Sequence, residues 1–464
     1  MSNFARMIDA CERERGPFRA LSASGQLGYG IPEASLLRGL ERAPHMIGCD
    51  MGSVDPGPYY LGAGRLATAR RVTKRDLRMV LLGALAKKIP LIIGTAGTAG
   101  ANPHLEATLD IVREIAREEG VSFKLATIGA EMPRDVLKAA VKSGRTRPIG
   151  AIPALTEAEV DGASAIVGQM GTEAFLRAMA EEPDVIIAGR ACDTAIYAAL
   201  PARLGLPMAP AMHMAKIIEC ASLCCVPGAR DAMLGTLEGE RFVLESMNPT
   251  RHATPMSVAA HALYEQADPN SVAEPEGVLH LEDACFEAVD EHRCRVWGSR
   301  WEPAKQLSVK IEGSTRVGAR AVFVAGCADP IFIERADEIK AGVEAMVREL
   351  VPPRGPRSYD LYFRFYGLGA VGGQAPKVLP EEIGVIVECI AEDEEEARAV
   401  TASAKQYLLH FGYVGRLSTA GNLAFPFTPP EMTAGDAYRF SVYHIMDVDA
   451  LAPLFPVSVE MVGA

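Results

Sequence analysis

Two carboxylates, a hydroxyl and two phenols follow the first clear strand of the sequence, in the run Asp50-Met-Gly-Ser53-Val-Asp55-Pro-Gly-Pro-Tyr59-Tyr60. A carboxylate at an apolar sheet edge can have its pKa raised by desolvation and can then act as a general acid or base. Asp50 and Asp55 are therefore candidate catalytic residues, and Ser53 is a candidate substrate contact. The alternative is turn chemistry alone, because Asp, Ser, Gly and Pro are all common turn residues.

A second loop combines glycines at 94, 97 and 100 with threonine hydroxyls at 95 and 98. Glycine lets the backbone approach a bound group, and the helix that follows points free N–H groups at an anion. The spacing differs from both the dinucleotide fingerprint and the P-loop, so no nucleotide cofactor is predicted. We predict that Gly94, Thr95, Gly97 and Thr98 bind a substrate carboxylate. A strand-to-helix turn without a ligand is the alternative.

Charged side chains also follow later apolar segments. Arg190 could bind a substrate carboxylate through paired hydrogen bonds, and Asp193 could contact the substrate, cap the next helix or pair with Arg190. Glu219 lies inside an apolar helical stretch and needs a partner or a proton there. We take it as a third catalytic candidate, although it could simply pair with Arg190 or Lys216. Asn248, in a polar loop, is a further candidate for substrate binding.

The cysteines and histidines do not form a compact metal motif. The ten cysteines are spread along the chain, and Cys220, Cys224 and Cys225 have no C-x-x-C or H-x-x-x-H partner set nearby. No metal site is therefore predicted, and metal-assisted hydrolysis by Asp50, Asp55 and a histidine such as His104 ranks last. Cysteines inside apolar runs suit reduced thiols in the cytoplasm.

Composition limits the partners. The net charge of −12 argues against a nucleic-acid surface, which needs clustered Lys and Arg. No apolar run approaches the ~20 residues that cross a bilayer, and no signal peptide is visible in Met1 to Arg15. We therefore expect a cytoplasmic protein that acts without a membrane or nucleic acid.

The order of elements predicts how these loops meet. Short apolar runs alternate with helical segments over the first ~200 residues, and the predicted strands are His45 to Cys49, Pro90 to Ile93, Phe123 to Ile128, Ile149 to Ile152, Ala165 to Val167 and Asp184 to Ala188. This alternation predicts a mostly parallel sheet with flanking helices. The loops that carry Asp50, Gly94 and Arg190 should then leave the same sheet edge. From about Leu237 a two-residue period predicts an antiparallel layer covering one edge of that sheet, interrupted by a helix at Met256 to Gln266.

The last third of the chain predicts the order βαββαβ, which is the ferredoxin-like arrangement. Its predicted elements are a strand at Ala321 to Ala325 with a continuation at Ile331 to Glu334, a helix at Asp337 to Leu350, strands at Tyr359 to Tyr366 and Ile383 to Ile390, a helix at Asp393 to Phe411 and a strand at Tyr438 to Met446. We therefore expect an α/β domain with the ligand site over residues 1–312 and a ferredoxin-like α+β domain over residues 313–464.

These motifs together resemble the acyclic terpene utilisation family called AtuA. The residues that carry the resemblance are the Gly94 loop, Gly189-Arg190-x-x-Asp193, Ile218-Glu219-Cys220, Tyr438-Arg439-Phe440 to His444, Asp447-Val448-Asp449 and Leu454-Phe455-Pro456. The resemblance covers most of the chain and implies a large α/β domain with an appended ferredoxin-like domain. It also implies bacterial breakdown of citronellol- and geraniol-type acids, with a hydration or lyase step. The stretch from Asp50 to Asp55 departs from the family pattern, which leaves the substrate open.

The leading hypothesis is a catabolic hydratase or lyase acting on a small carboxylic acid or acyl-CoA. Asp50 or Asp55 would be the acid or base, the Gly94 loop would hold carboxylate or enolate charge, and Arg190 would anchor the acid. The alternative is a non-catalytic subunit of an acyl-CoA degradation pathway that binds a ligand or forms a complex. We expect a homo-oligomer.

Overall fold

The computed structural model describes residues 1–263, 268–353, 358–417 and 421–463. The chain forms two compact units, Met1–Thr315 with Phe440–Ala464 and, separately, Arg316–Arg439. The predicted boundary between residues 312 and 313 lies close to the point where the chain leaves the first unit, after Thr315. Residues 440–464, which the prediction placed in the second domain, belong to the first unit.

The strands are numbered here in chain order. They are β1 (Phe18–Ser24), β2 (Met46–Asp50), β3 (Leu91–Gly94), β4 (Phe123–Ile128), β5 (Thr146–Pro148), β6 (Ala165–Gly168), β7 (Val185–Ala188), β8 (Met233–Glu238), β9 (Arg241–Ser246), β10 (Ser271–Glu274), β11 (Gly277–His280), β12 (Cys285–Ala288), β13 (Arg293–Trp297), β14 (Arg300–Pro303), β15 (Leu307–Cys327), β16 (Tyr359–Tyr366), β17 (Ile383–Ala391), β18 (Glu431–Val448) and β19 (Val457–Val462).

The helices are numbered in the same way. They are α1 (Asn3–Glu14), α2 (Glu33–Glu41), α3 (Pro58–Ala63), α4 (Arg70–Lys87), α5 (Asn102–Glu119), α6 (Arg134–Lys142), α7 (Glu157–Gly162), α8 (Thr172–Ala180), α9 (Asp193–Arg203), α10 (Met208–Ile218), α11 (Pro255–Ala262), α12 (Pro330–Glu334), α13 (Ala336–Leu350) and α14 (Glu394–His410). Within the described ranges, none of them is long and apolar enough to cross a membrane.

The large sheet of the first unit has the strand order β12-β13-β9-β8-β1-β2-β3-β7-β4-β19. Its central strands, from β1 to β4, pair in parallel, whereas β8 and β19 pair antiparallel with the strands at the two ends of this parallel block. The sheet is therefore mixed, and the prediction of a mostly parallel sheet was wrong in that respect. The cause is a set of hairpins: a two-residue turn joins β8 to β9, and so short a connection permits only antiparallel pairing.

Helices cover both faces of the parallel block, so every residue of β2, β3 and β7 is buried. Successive side chains of β3 enter different hydrophobic clusters, because neighbouring strand residues point to opposite faces. Ile92 belongs to the same buried cluster as Phe175 and Met214, while Ile93 belongs to the cluster that contains Leu77. The sheet edge that carries the site is thus fixed between two packed layers.

Several predicted boundaries differ from the structure. The strand predicted at Ile149 to Ile152 is instead β5, at Thr146–Pro148, while β1 and β19 were not predicted at all. The helix predicted at Met256 to Gln266 is α11, and the end of that prediction lies outside the described residues.

In the second unit, the parts of β15 and β18 that belong to it join β16 and β17 in the sheet order β16-β17-β15-β18. Helices α12 to α14 and this sheet share one hydrophobic core, whose buried side chains include Phe323, Phe332 and Val385. The predicted continuation of a strand at Ile331 to Glu334 was wrong, because this segment is α12. The Asp329 carboxylate accepts hydrogen bonds from two backbone N–H groups at its start, which favours a helix there.

Candidate active site

A cavity of about 470 Å³ opens at the carboxyl ends of β1 and β2 in the first unit. Its polar lining includes Asp50 at the end of β2, Asp193 at the start of α9, Glu219 at the end of α10, and Arg230 from the loop before β8. We call it the Asp50 cavity after these residues. Loops that leave parallel strands at one edge converge there, and this explains why residues so distant in sequence meet.

Asp50 is a buried residue of this lining, with 7% of its surface exposed. One carboxylate oxygen, Oδ2, accepts a hydrogen bond from the Gly52 N–H at 3.2 Å. The other, Oδ1, has no hydrogen-bond partner among the described residues. Burial raises the pKa of Asp50 well above its usual value, and Asp193 adds to this, while Arg190 opposes it. The protonated form is therefore favoured over a wider pH range than for an ordinary aspartate.

Glu219 lies on the same lining beside a buried lysine. The distance from Lys216 Nζ to Glu219 Oε1 is 2.5 Å, and both residues are at most 6% exposed. Burial raises the pKa of Glu219 to about 8; Lys216 lowers it in part, and Asp193 raises it further. Burial alone would lower the pKa of Lys216, but Glu219 outweighs it and the pKa is raised overall. The cavity therefore contains a second carboxyl group whose proton is held near neutral pH.

Arg190, predicted to anchor the substrate, is engaged elsewhere. Its Nε donates to Glu312 Oε2 at 2.8 Å, and both side chains are buried. Lys310 Nζ lies 2.8 Å from the other oxygen of Glu312. Arg190 is not among the residues that line the Asp50 cavity, although its charge is close enough to oppose the raised pKa of Asp50.

The loop after β1 supplies lining residues that the sequence analysis missed. Tyr29 lies in this loop, and its carbonyl oxygen accepts a hydrogen bond from Arg230 Nη1. The buried Asp76 carboxylate accepts from the N–H groups of Gly28, Gly30 and Ile31 at 2.8 to 3.0 Å, and this fixes the loop. Had β1 been recognised, its glycine-rich loop would have counted as another loop at the same sheet edge.

The family model described as acyclic terpene utilisation family protein AtuA matches residues 70–231 and 236–424. These two segments make up most of the 464 residues. The chain belongs to the AtuA family. In the same comparisons, no curated protein and no solved structure matches this AtuA chain. Family membership implies a role in acyclic terpene utilisation, which is a catabolic role. Asp193, Glu219 and Arg230 fall inside the matched segments, whereas Asp50 precedes them.

The glycine loop of this AtuA protein is packed inside the first unit. Thr95 Oγ1 accepts from the Ala191 N–H at 3.2 Å, and Thr98 Oγ1 accepts from the Ala67 N–H at 2.8 Å. Gly100 has φ +68°, and a Cβ there would lie 2.1 Å from the backbone nitrogen of Arg190. The glycines thus let two backbone segments approach each other. Neither Gly94 nor Gly97 lines the Asp50 cavity, and both are buried.

The helix that follows the glycine loop already has a carboxylate at its N-terminus. The Asn102 N–H donates to Glu131 Oε2 at 3.2 Å, and negative charge at a helix N-terminus is stabilising. A carboxylate of the protein itself therefore lies where an anionic substrate was predicted.

Asn248 and His104 also lie outside the cavity. The side chain of Asn248 donates to Asp231 Oδ2 at 3.1 Å, and it borders a separate depression of about 580 Å³. His104 is buried, with Nε2 at 3.0 Å from the Tyr60 carbonyl oxygen. Among the described residues, no group of three or more His, Cys, Asp and Glu side chains is arranged to hold a metal ion.

All three predicted catalytic residues, Asp50, Asp55 and Glu219, line the Asp50 cavity, but their environments differ. Asp50 and Glu219 are buried, while Asp55 is exposed and donates its backbone N–H to Ser53 Oγ at 3.2 Å. Asp193 joins them as a third acidic side chain near Asp50. Carboxyl groups with different surroundings can hold and release protons at different pH, which is the property that acid and base catalysis requires.

Proposed function

We propose that this AtuA-family protein is a catabolic enzyme, a hydratase or lyase that works by acid-base chemistry beside the carbonyl of a small carboxylic acid or acyl-CoA. The observation that carries the proposal is the position of Asp50 in the cavity, together with its burial and a carboxylate oxygen that is unpaired among the described residues. It lines a cavity of a size that suits a small ligand, it is buried, and its Oδ1 has no partner in the described part of the chain.

Adding or removing water needs one group that gives a proton and one that takes a proton. Asp50 and Glu219 are the two buried carboxyl groups of the lining with raised pKa values. In this proposal they share those two tasks, and Asp193 modulates both. Asp55 is the weaker choice for the proton transfer because it is exposed to water. Arg190 acts from behind the lining as a positioning residue, through its charge.

The test is conversion of acyl-CoA substrates in deuterated water, followed by mass spectrometry. Thioesters of saturated, 2,3-unsaturated and 3-hydroxy acids of increasing length form the panel. We expect gain or loss of water, or uptake of deuterium beside the carbonyl, for at least one of them. Asp50→Asn should lower the rate by about 10²-fold or more, as is typical when a general acid or base is removed.

Two further variants sharpen this test. Asp135→Asn changes an exposed aspartate in α6 and should leave the rate unchanged. If Asp55→Asn abolishes conversion and Asp50→Asn does not, the roles of the two aspartates are reversed. Thermal stabilisation by a thioester without any conversion would favour the non-catalytic, ligand-binding alternative.

We also propose a ferredoxin-like fold for the second unit. The element order β15, α13, β16, β17, α14, β18 and the sheet order β16-β17-β15-β18 support it. A cytoplasmic homo-oligomer remains part of the proposal. Light scattering on the purified protein measures its mass in solution and tests the oligomer.

A further inference from the structure

The charges around the Asp50 cavity are unevenly distributed. Asp50, Asp193 and Glu219 all contribute to its lining. The two buried cations described above already contact acids: Arg190 contacts Glu312, and Lys216 contacts Glu219 of the lining itself. Among the described residues that line the cavity, Arg230 is the only lysine or arginine, and it is exposed. The interior is thus acidic, and the available positive charge lies at the exposed part of the lining.

Asp50 indicates what the interior can accept. It is more than nine-tenths buried, and Oδ1 has no hydrogen-bond partner among the described residues. A protonated carboxyl group can donate to an uncharged carbonyl oxygen without adding charge. A free carboxylate in the same place would put a negative charge beside Asp193, with little water to screen it.

Arg230 is suited to bind an anion at the exposed part of the cavity lining. One of its five N–H groups donates to the Tyr29 carbonyl oxygen, which anchors the guanidinium and leaves further donors. The carboxylate of the next residue, Asp231, is turned to Arg251 at 2.9 Å. In the described ranges, Arg230 forms no ion pair with any carboxylate.

We propose that the Asp50 cavity admits the uncharged carbonyl of a thioester and disfavours a free carboxylate, while Arg230 binds an anionic group on the same substrate outside the cavity. This inference rests on the proposed function and narrows its substrate class to acyl thioesters. The anionic group is either a phosphate of the thioester carrier or a second carboxylate on the acyl chain. Both have the chemistry that a guanidinium recognises.

The experiment compares one saturated acyl group in three forms by calorimetry at pH 7.5. The probes are 3-methylbutanoate, its N-acetylcysteamine thioester and its CoA thioester. We expect both thioesters to bind the wild-type protein at least tenfold more tightly than the free acid.

Arg230→Ala separates the two parts of the proposal. It should weaken binding of the CoA thioester at least fivefold and leave the uncharged N-acetylcysteamine thioester unchanged. If the loss appears only with an N-acetylcysteamine thioester that carries a terminal carboxylate, the anion comes from the acyl chain. Arg71→Ala, an exposed arginine in α4 outside the cavity lining, is the matched control and should change none of the affinities.

Three results would overturn the inference. The free acid could bind as tightly as the thioesters, Arg230→Ala could have no effect on any anionic probe, or all three probes could fail to bind at millimolar concentration. Binding needs no turnover, so the two proposals fail separately. Binding in the expected order without conversion of any thioester supports this inference and refutes the hydratase or lyase activity.

Discussion

Arg190 Nε lies 2.8 Å from Glu312 Oε2, and this buried ion pair joins the loop after β7 to strand β15. The pair changes how the Gly189-Arg190-x-x-Asp193 motif is understood. An arginine at a sheet edge is a natural anchor for an anionic ligand, yet here the anion is a side chain 122 positions later in the chain. Arg190 therefore places a buried positive charge near Asp50, where it opposes the raised pKa of that aspartate.

Removing Arg190 should therefore cost stability. Arg190→Ala leaves Glu312 buried with only Lys310 as counter-charge, and breaking a buried pair typically costs about 3 kcal/mol or more. Urea denaturation measures the change in the free energy of unfolding. Arg13→Ala is the control, since its ion pair with Asp9 is largely exposed and should contribute less than about 1 kcal/mol. Equal effects of the two substitutions would contradict this account.

The raised pKa of Glu219 predicts a pH dependence of stability. The folded protein holds this proton up to a pKa of about 8, whereas an unfolded glutamate releases it near its ordinary value of about 4.3. Between these two values the folded state binds more protons, so the contribution to stability falls as pH rises. The urea midpoint of Glu219→Gln should decline less between pH 5 and pH 8 than that of the wild type. Glu106→Gln, at an exposed position in α5, should follow the wild type.

The packing of the glycine loop predicts a difference between two Gly→Ala substitutions. Gly100 and Gly144 have nearly the same φ, +68° and +67°, but an added Cβ meets the Arg190 backbone at 2.1 Å only at Gly100. At Gly144 nothing lies within 4 Å. Gly144→Ala should cost about 1 kcal/mol for its backbone conformation, and Gly100→Ala should cost at least ~2 kcal/mol more. Similar melting temperatures for the two variants would refute the close-packing explanation.

Asp76 predicts a link between the loop after β1 and the cavity. Its buried carboxylate accepts three backbone hydrogen bonds from that loop, and Asp76→Asn replaces one acceptor oxygen with a donor. We expect a loss of about 3 kcal/mol in the free energy of unfolding. Amide exchange should also become faster in residues 25–32, the segment that contains Tyr29 of the lining. Exchange that stays at the wild-type rate in this segment would contradict the positioning role.

The alternation of apolar runs and helical segments predicted the parallel centre of the large sheet and the edge where Asp50 lies. It did not predict β1, because the run Phe-Arg-Ala-Leu-Ser-Ala-Ser contains few large apolar residues. Nor could it predict β19, whose pairing with β4 joins Ser458 to Thr127 across more than 300 residues. Hydrophobic periodicity is a local signal, and such pairings leave no trace in it.

In the site, too, local sequence features could be predicted and contacts between distant residues could not. Asp50 and Glu219 could be selected from their residue type and apolar surroundings. Arg190 and the start of α5 could not be assigned in this way, because each contacts a carboxylate from a later part of the chain. Arg190 pairs with Glu312, and the N-terminus of α5 donates to Glu131. Glycine gave an ambiguous signal, because close approach to a ligand and close approach to another backbone place the same demand on a residue.

The position of β19 at the end of the large sheet has a consequence for self-association. A terminal strand offers unpaired backbone groups to strands of other molecules, and proteins commonly block this with charged side chains. Glu460 is such a charge on β19. Its carboxylate lies 2.6 Å from Arg113, and its neighbours Val459 and Met461 are exposed. This carboxylate is the one charged side chain of the strand, and we expect it to oppose edge-to-edge aggregation.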